Sequence, residues 1–256
     1  MLLKIQPKTF FVGKNLIFLP SCHSTNDIAN EIIQNKEFID GTVILTDHQT
    51  AGRGQRGNAW ESNIGQNILM SLIVKTTFLS LEKSFDLSIT VAVSVLEALQ
   101  TLGIQNTSIK WPNDLYINEK KTGGILIENS ISGNKMSHSI VGIGINVNQT
   151  KFENIRATSL CLELKQEQVS REIIVEKICE SIESNLELLK SGSFKKIKEK
   201  YLLNLFGKDQ LRVFKSEKGI FEGEIVGISD QGHLKIISQN EEKYYNIKEI
   251  EYLFDD

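Results

Sequence analysis

The stretch TSIKWPNDLYINEKKTGGILIEN (107–129) contains three apolar segments that two turn signals separate. PND (112–114) and NEK (118–120) are typical of tight turns, because proline fixes φ while asparagine and aspartate tolerate turn conformations. Further along, SHSIVGIGINVN (137–148) adds another segment in which apolar residues recur. The region is therefore predicted to form neighbouring strands of one sheet.

Further strands and helices are predicted on both sides of this region. LIFLP (16–20), TVILT (42–46) and QNILMSLIVK (66–75) are short apolar runs typical of buried strands. Apolar residues that recur every three or four positions predict four helices, which begin near Ser24, Phe85, Ser170 and Phe194. The order of these elements predicts an α+β fold with a mixed sheet flanked by helices.

The last part of the chain has a different pattern. Residues 208–256 contain only short alternating segments, which glycines interrupt. About 50 residues of short hairpins must close on themselves to bury a core, so we predict a small all-β domain, curled into a barrel. We accordingly divide the chain into a first domain at 1–207 and a second at 208–256.

Composition limits the classes of function. The formal net charge is −3, with 29 Lys+Arg against 32 Asp+Glu, so no global basic field recruits nucleic acid or an anionic membrane. The three cysteines show no C-x-x-C pair, which argues against a disulfide framework or a zinc site. No signal-like N-terminus and no run of about 18 apolar residues is seen, so we expect a cytoplasmic protein without a membrane partner.

The loop TAGRGQRGNAW (50–60) contains a G-x-G-x-x-G string. A dinucleotide fingerprint should open a helix, with an acidic residue about 20 positions later, and this loop fails both tests. No Gly-Lys-[Ser/Thr] follows, so a P-loop is excluded. Either Arg53 and Arg56 bind a carboxylate or phosphate, or the loop is a flexible surface loop with solvated arginines.

Three other motifs are ambiguous when each is taken alone. KWPND (110–114) fits a polar sheet edge or a strand-ending turn packed by its tryptophan. KKTGGIL (120–126) fits a lysine beside a ligand approach or a hairpin with a glycine bulge. GIGIN (142–146) ends in an amide that could bind a purine edge, or it is a strand passing close to another backbone. The four histidines show no ligand spacing and receive no role.

Taken together, five motifs in this order closely resemble the biotin protein ligases. They are STN (24–26), QTAGRGQRGNAW (49–60), KWPND (110–114), KTGGIL (121–126) and GIGIN (142–146). The resemblance implies a mixed sheet flanked by helices, followed by a C-terminal SH3-like β-barrel. It also implies two reactions. Biotin and ATP give biotinyl-5′-adenylate and pyrophosphate, and the biotinyl group then passes to one lysine of a biotin carboxyl carrier domain.

The resemblance also assigns roles to individual residues. Lys121 and Arg53 are implied as the catalytic cations, because two anions that are forced together repel strongly unless positive groups neutralise them. The residues implied to bind biotin are Ser24, Thr25, Asn26, Gln49, Arg53, Gly54, Gln55 and Lys121. Those implied to bind ATP and the adenylate are Arg53, Arg56, Trp60, Lys110, Asn113, Asp114, Lys121 and Asn146. Mg²⁺ is expected to accompany ATP, without an assigned protein ligand.

Two departures from the family pattern stand out. Gln55 replaces an arginine that many members carry, which removes one charge beside the adenylate. The sheet begins within about 16 residues of Met1, which leaves no room for the N-terminal helix-turn-helix of the repressor members, so we expect no DNA partner.

The expected partner is the carrier domain of a biotin-dependent carboxylase, and an exposed sheet edge would suit a homodimer. Two rival hypotheses remain open from the sequence. One is a lipoate ligase or octanoyl transferase of the same fold. The other is a non-enzymatic binding module in which the C-terminal barrel is the working part.

Overall fold

The computed structural model describes residues 4–35, 38–133 and 135–254, apart from the side chain of Arg56. Seven strands form the first sheet in the order β1-β2-β3-β7-β6-β5-β4. Strand β1 is parallel to β2 and the other neighbours are antiparallel, which confirms the predicted mixed sheet. The strands are β1 (Leu16–Leu19), β2 (Val43–Thr46), β3 (Ile68–Lys75), β4 (Thr107–Lys110), β5 (Asp114–Ile117), β6 (Lys120–Ser132) and β7 (Lys135–Ile145).

Helices cover both faces of this sheet. Helix α1 packs on β2, β3 and β7, whereas α2 packs on β4, β5 and β6 and is itself covered by α4 and α5. The four predicted helices are confirmed, and the short α3 was not predicted. The helices are α1 (Thr25–Gln34), α2 (Ser84–Thr101), α3 (Leu160–Leu164), α4 (Arg171–Lys190) and α5 (Phe194–Leu203). Within the described ranges, no helix combines the length and apolar character needed to cross a bilayer.

Side chains alternate between the two faces of β7, as the period of a strand requires. Ile143 and Ile145 belong to the main core beneath α2, whereas Ile140 packs with Ala29 of α1 in a smaller cluster. Gly142 and Gly144 fall on the same face as Ile140 by this alternation. Near the C-terminal end of β7, the strand therefore presents glycines instead of apolar side chains on the α1 face of the sheet.

The C-terminal segment forms a second, five-stranded antiparallel sheet in the order β11-β10-β9-β8-β12. The predicted all-β unit is confirmed. The edge strands β11 and β12 do not pair within the described part of the chain, so a closed barrel is not seen there. The strands are β8 (Leu211–Ser216), β9 (Gly219–Ile228), β10 (Leu234–Ser238), β11 (Glu241–Tyr245) and β12 (Ile250–Leu253).

The second sheet shares a core with the first. Phe214 and Ile236 belong to the same buried cluster as the apolar face of α2. Trp111 of the KWPND motif donates its Nε1–H to the Gly232 carbonyl at 2.9 Å, which ties the β4–β5 turn to the second sheet. The boundary between residues 207 and 208 remains a prediction, and the contacts across it are extensive.

The three cysteines are free thiols. Cys161 and Cys179 are buried, whereas Cys22 is partly exposed. Burial raises the pKa of the Cys179 thiol to about 12. A thiol with this pKa stays protonated at neutral pH, so its role is packing.

A buried glutamate of α4 anchors the segment before β1. The Glu183 carboxylate accepts hydrogen bonds from the backbone N–H groups of Phe10, Phe11 and Val12 at 2.6, 2.8 and 2.9 Å. Glu183 is only 7% exposed, so these bonds are shielded from water. Glu176 and Glu180 of the same helix accept from the backbone N–H groups of Gln6 and Lys8 at 2.7 and 3.1 Å, so several side chains of α4 hold the segment.

We expect Glu183→Gln to destabilise the fold by about 2–3 kcal/mol, because an amide presents one acceptor oxygen where a carboxylate presents two. Thermal unfolding should show a midpoint lowered by roughly 5–10 °C. Glu187→Gln is the matched control, since Glu187 lies on the same helix, is 61% exposed and pairs with Lys190. Equal midpoints for the two variants would contradict the anchoring role.

Candidate active site

A cavity of about 420 Å³ opens on the α1 face of the first sheet, within the size range of small-molecule sites. Its walls come from the start of α1, the loop at 49–60, the β4–β5 turn, and parts of β6, β7 and β12. Most of the side chains assigned from the sequence meet here. The predicted residues that line it are Ser24, Thr25, Asn26, Gln49, Arg53, Gly54, Gln55, Trp60, Lys110, Asn113, Asp114 and Lys121.

Glycines on the strands make room for two of these side chains. A Cβ on Gly142 would lie 2.5 Å from Asn26 Oδ1, and a Cβ on Gly144 would lie 2.5 Å from Trp60 Cε2. Gly124, the register partner of Gly144 on β6, would place a Cβ 3.3 Å from Trp60 Cζ3. Side chains of the cavity wall, rather than another backbone, therefore occupy the space that the GIGIN glycines leave.

A polar cluster forms one end of the cavity. Gln49 Oε1 accepts hydrogen bonds from Thr25 N at 2.8 Å and from Thr25 Oγ1 at 3.1 Å. Ser71 Oγ lies 2.7 Å from Thr25 Oγ1 and 2.6 Å from Asn26 Oδ1. Ser71, on β3, is fully buried and was not assigned from the sequence. Hydroxyl and amide groups thus converge at a buried end of the cavity.

Arg53 extends from the glycine-rich loop to two carboxylates. Its guanidinium donates to Asp27 Oδ1 at 2.5 Å and to Glu128 Oε1 at 3.3 Å. The hydrogen bond to Asp27 is the largest cause that raises the pKa of Arg53, and Glu128 adds to it. These contacts fix the loop onto α1 and β6. The alternative of a loop with solvated arginines is therefore not what the structure shows for Arg53.

Lys121 projects into the cavity from the start of β6. Its Nζ lies 2.7 Å from Asp114 Oδ1 and 5.7 Å from the centroid of the Trp60 ring. Asp114 pairs in register with Gly124, which brings its carboxylate beside the lysine. The Asp114 carboxylate is therefore placed to orient Lys121.

Trp60 closes the cavity over the strand glycines. Its Nε1 is buried and has no hydrogen-bond partner among the described residues. A buried donor without a partner is costly, and a ligand or water acceptor would relieve that cost. The indole ring is therefore positioned to contact a bound molecule.

Lys110 lies in a group of aromatic rings. Its Nζ is 4.5 Å from the ring centroid of Tyr252 and 5.7 Å from those of Tyr116 and Phe254. Burial raises the pKa of both tyrosines, so the rings stay neutral and attract the ammonium through their faces. Tyr252 and Phe254 also line the cavity, which makes the second sheet part of the site.

Three predicted residues differ from the others in their placement. Asn113 lines the cavity, but its Nδ2 donates to the Ile125 carbonyl, so its amide joins the β4–β5 turn to β6. Asn146 is buried, donates to the Thr158 carbonyl at 3.1 Å, and is not among the cavity-lining residues. The side chain of Arg56 lies outside the described residues.

Fold and cavity together define the class of protein. Residues 18–146 match the model of the Biotin/lipoate A/B protein ligase family, and the chain belongs to that family. The bifunctional ligase/repressor BirA of Bacillus spizizenii is 34% identical over 241 residues, which cover 91% of this chain and 72% of that protein.

One solved structure and one further sequence relative are also similar to this chain. The biotin protein ligase of Aquifex aeolicus, solved in complex with biotin and ATP, is 31% identical with a TM-score of 0.77 and covers 94% of this chain and 100% of its own. The biotin–[acetyl-CoA-carboxylase] ligase of Mycobacterium tuberculosis is 31% identical over 58% of this chain and 55% of that protein.

Proposed function

We propose that this protein activates biotin with ATP and transfers it to a protein lysine. Biotin and ATP give biotinyl-5′-AMP and pyrophosphate, and the lysine amine of a carrier domain then displaces AMP. The observation that carries the proposal is one cavity in which a hydroxyl-and-amide cluster lies beside the cations Arg53 and Lys121. A lipoate or octanoate substrate is not favoured, because relatives along most of the chain are named for biotin.

The two cations address the difficulty of the first step. The biotin carboxylate must approach the α-phosphate of ATP, and two unit charges about 4 Å apart repel by about 4 kcal/mol at an effective dielectric constant of 20. Arg53 and Lys121 both line the cavity and can neutralise this charge. Negative charge on the oxygens of the α-phosphate increases in the transition state. Arg53 and Lys121 therefore stabilise the transition state more than the bound substrates, and this difference accelerates the reaction.

The polar cluster suits the other end of biotin. A ureido ring has N–H donors and a carbonyl acceptor, and Ser24, Thr25, Asn26 and Gln49 supply matching groups. The thioether ring and the alkyl chain would extend through the cavity between this cluster and the two cations. This orientation directs the carboxylate toward Arg53 and Lys121, with Gly54 and Gln55 on the loop beside it.

The adenylate would occupy the side of the cavity near the second sheet. We assign Trp60 to the adenine ring and Lys110 to the phosphates, with Asp114 holding Lys121. Asn113 shapes this wall through its bond to β6.

Asn146 is assigned an indirect role. It holds the Thr158 carbonyl, and Thr158 N in turn donates to the Lys121 carbonyl at 2.9 Å. Asn146 therefore supports the backbone of Lys121 from behind the cavity. Arg56 stays a prediction as an adenylate contact.

Mg²⁺ is proposed to accompany ATP. No group of three or more histidine, cysteine or acidic side chains suited to a metal occurs among the described residues. Asp114 and Glu251 line the cavity, and Mg²⁺ commonly binds through one or two carboxylates together with substrate phosphates. The donor set therefore fits a nucleotide-borne Mg²⁺, which would share the phosphate charge with the two cations.

The first half-reaction provides a direct test. Purified protein with labelled pyrophosphate, ATP and Mg²⁺ should show exchange of label into ATP when biotin is added. Lipoate and octanoate serve as comparison acids. Exchange that depends on lipoate but not on biotin would overturn the proposal in favour of the related ligases.

The remaining elements of the proposal concern the setting of the reaction. ATP as a substrate and free thiols suit the cytoplasm. The carrier domain of a biotin-dependent carboxylase is the proposed protein partner, and no role for DNA is proposed for a chain of net charge −3. Strand β1 lies at an edge of the first sheet, where a second copy of the chain could pair.

Gln55 provides a prediction about release of the adenylate. Gln55→Arg adds a positive charge to the cavity wall and should slow dissociation of biotinyl-5′-AMP by about 5-fold, the effect expected of a partly exposed ion pair. Release of labelled adenylate during a chase with unlabelled biotin and ATP measures the rate. Gln55→Met, which keeps the length without the charge, should not slow release. An unchanged rate in Gln55→Arg would refute the idea.

A further inference from the structure

Glu128 lies behind the cavity and contacts two of its predicted ligand-binding side chains. Its Oε2 accepts a hydrogen bond from Asn26 Nδ2 at 2.6 Å, and its Oε1 accepts from the Arg53 guanidinium at 3.3 Å. Glu128 itself does not line the cavity. On β6 it alternates in step with Gly124, so it projects from the α1 face of the sheet.

The contacts of Asn26 leave its amide a single orientation. Asn26 is 4% exposed, its Oδ1 accepts from Ser71 Oγ at 2.6 Å, and its Nδ2 donates to Glu128. A carboxylate can only accept, so the –NH₂ end must face Glu128 and the carbonyl end must face Ser71. Gly142 leaves space for the side chain but contributes no hydrogen-bonding side chain to orient it.

Loss of the carboxylate would remove this preference. The –NH₂ group would keep its cost of desolvation without its acceptor, and the amide could then rotate away from Ser71. Ser71 also contacts Thr25, which contacts Gln49. A disturbance at Asn26 would therefore spread along the polar cluster that the proposed function assigns to the ureido ring.

We propose that Glu128 is a positioning residue for biotin, which acts through the Asn26 amide and has no direct contact with the ligand. The inference rests on the proposed function, because it deepens the assignment of the same site. Its consequence is selective: Glu128 should govern affinity for biotin more than affinity for ATP.

Two substitutions at Glu128 separate positioning from bulk stability. Glu128→Ala removes the acceptor and should raise both the calorimetric Kd for biotin and its KM by about 10- to 30-fold. The KM for ATP should change by less than about 3-fold, because Arg53 keeps its shorter bond to Asp27. Glu128→Gln retains a carbonyl acceptor for Asn26, and it should restore biotin affinity to within about 3-fold of the wild-type value. A glutamine variant as weak as the alanine variant would overturn the proposal.

Glu97 is the matched control. Its carboxylate likewise bridges an amide and a cation, accepting from Asn185 Nδ2 at 2.7 Å and from Lys200 Nζ, but it lies on α2 outside the cavity. Glu97→Ala should lower the unfolding temperature and leave the Kd for biotin unchanged. If Glu128→Ala also lowers only the unfolding temperature, Glu128 is structural and the proposal fails.

A double-mutant cycle tests whether Glu128 acts through Asn26. Biotin Kd is measured for Asn26→Ala, Glu128→Ala and the double variant. The double variant should bind no worse than the weaker single variant, because the second change removes an interaction already lost. Additive losses would overturn the proposal. Absence of biotin binding by the wild-type protein would instead overturn the proposed function, so the two failures are distinguishable.

Discussion

Lys121→Ala should reduce biotin-dependent pyrophosphate exchange by about 10³-fold while the protein stays folded. The lysine is partly exposed in the cavity and lies 2.7 Å from Asp114, and its ammonium is available where two anions must meet. Its removal leaves the Asp114 carboxylate without that partner and adds repulsion to the loss of the cation. The effect should appear in kcat more than in the KM for biotin, because the charge matters most in the transition state.

The neighbouring lysine provides the control. Lys120 is exposed, precedes Lys121 in β6 and does not line the cavity, so Lys120→Ala should retain exchange activity. Circular dichroism and thermal unfolding establish that both variants are folded. Exchange at the wild-type rate in folded Lys121→Ala would refute the assignment of Lys121 to adenylate formation.

Gly144→Ala should raise the KM for ATP or lower kcat so that kcat/KM for ATP falls by about 10²-fold. The added Cβ would lie 2.5 Å from Trp60 Cε2 and 2.9 Å from its Nε1, so the indole must move. Gly144 pairs with Leu69 and Gly124 in regular strand register, so alanine should be compatible with the backbone there. The expected loss thus comes from the displaced tryptophan.

A second cycle isolates this collision. In a Trp60→Leu background the large ring is gone, so adding Gly144→Ala should cost little further activity. Steady-state kinetics with ATP as the varied substrate measure all four proteins. A full additional loss in the Trp60→Leu background would show that Gly144 acts on something other than the tryptophan.

Elements with long periodic patterns were predictable from the sequence. The apolar spacing of α2 and α4 arises because one helical stripe faces the core, and their predicted residues, such as Val91, Val95, Ile178 and Ile182, are buried. Helix α3 has five residues, too few for a period to show. Strands β6 and β7 extend to Ser132 and Lys135, beyond their predicted ends, because the two strands continue to pair with each other up to these residues.

The cavity was predictable where its residues form short motifs. Twelve of the predicted residues line it because each motif lies at a strand end or a helix start on the same side of the sheet. Asn146 is the described exception: it follows β7 immediately, and its bond to Thr158 draws it away from the cavity. The sequence around Asn146 does not distinguish an amide that binds a purine from an amide that bonds to the backbone.

Long-range partners left no local signal. Glu128 is 102 positions from Asn26, and Trp111 is 121 positions from Gly232. A glutamate in a strand is usually a solvated residue, and only the fold shows that this one meets a buried amide. The aromatic group around Lys110 likewise includes Tyr252 and Phe254 from the end of the chain. Because the predicted division treats the two domains separately, the sequence does not predict this contact.

Transfer of biotin to a carrier domain is the reaction that defines the proposed function. Purified protein is incubated with ATP, Mg²⁺, biotin and a biotin carboxyl carrier domain, and intact-mass spectrometry with peptide mapping locates the modification. We expect one biotinyl group on one lysine of the carrier domain, dependent on ATP and lost in a carrier variant with that lysine replaced by arginine. No transfer of biotin, or transfer of lipoate in its place, would contradict the account.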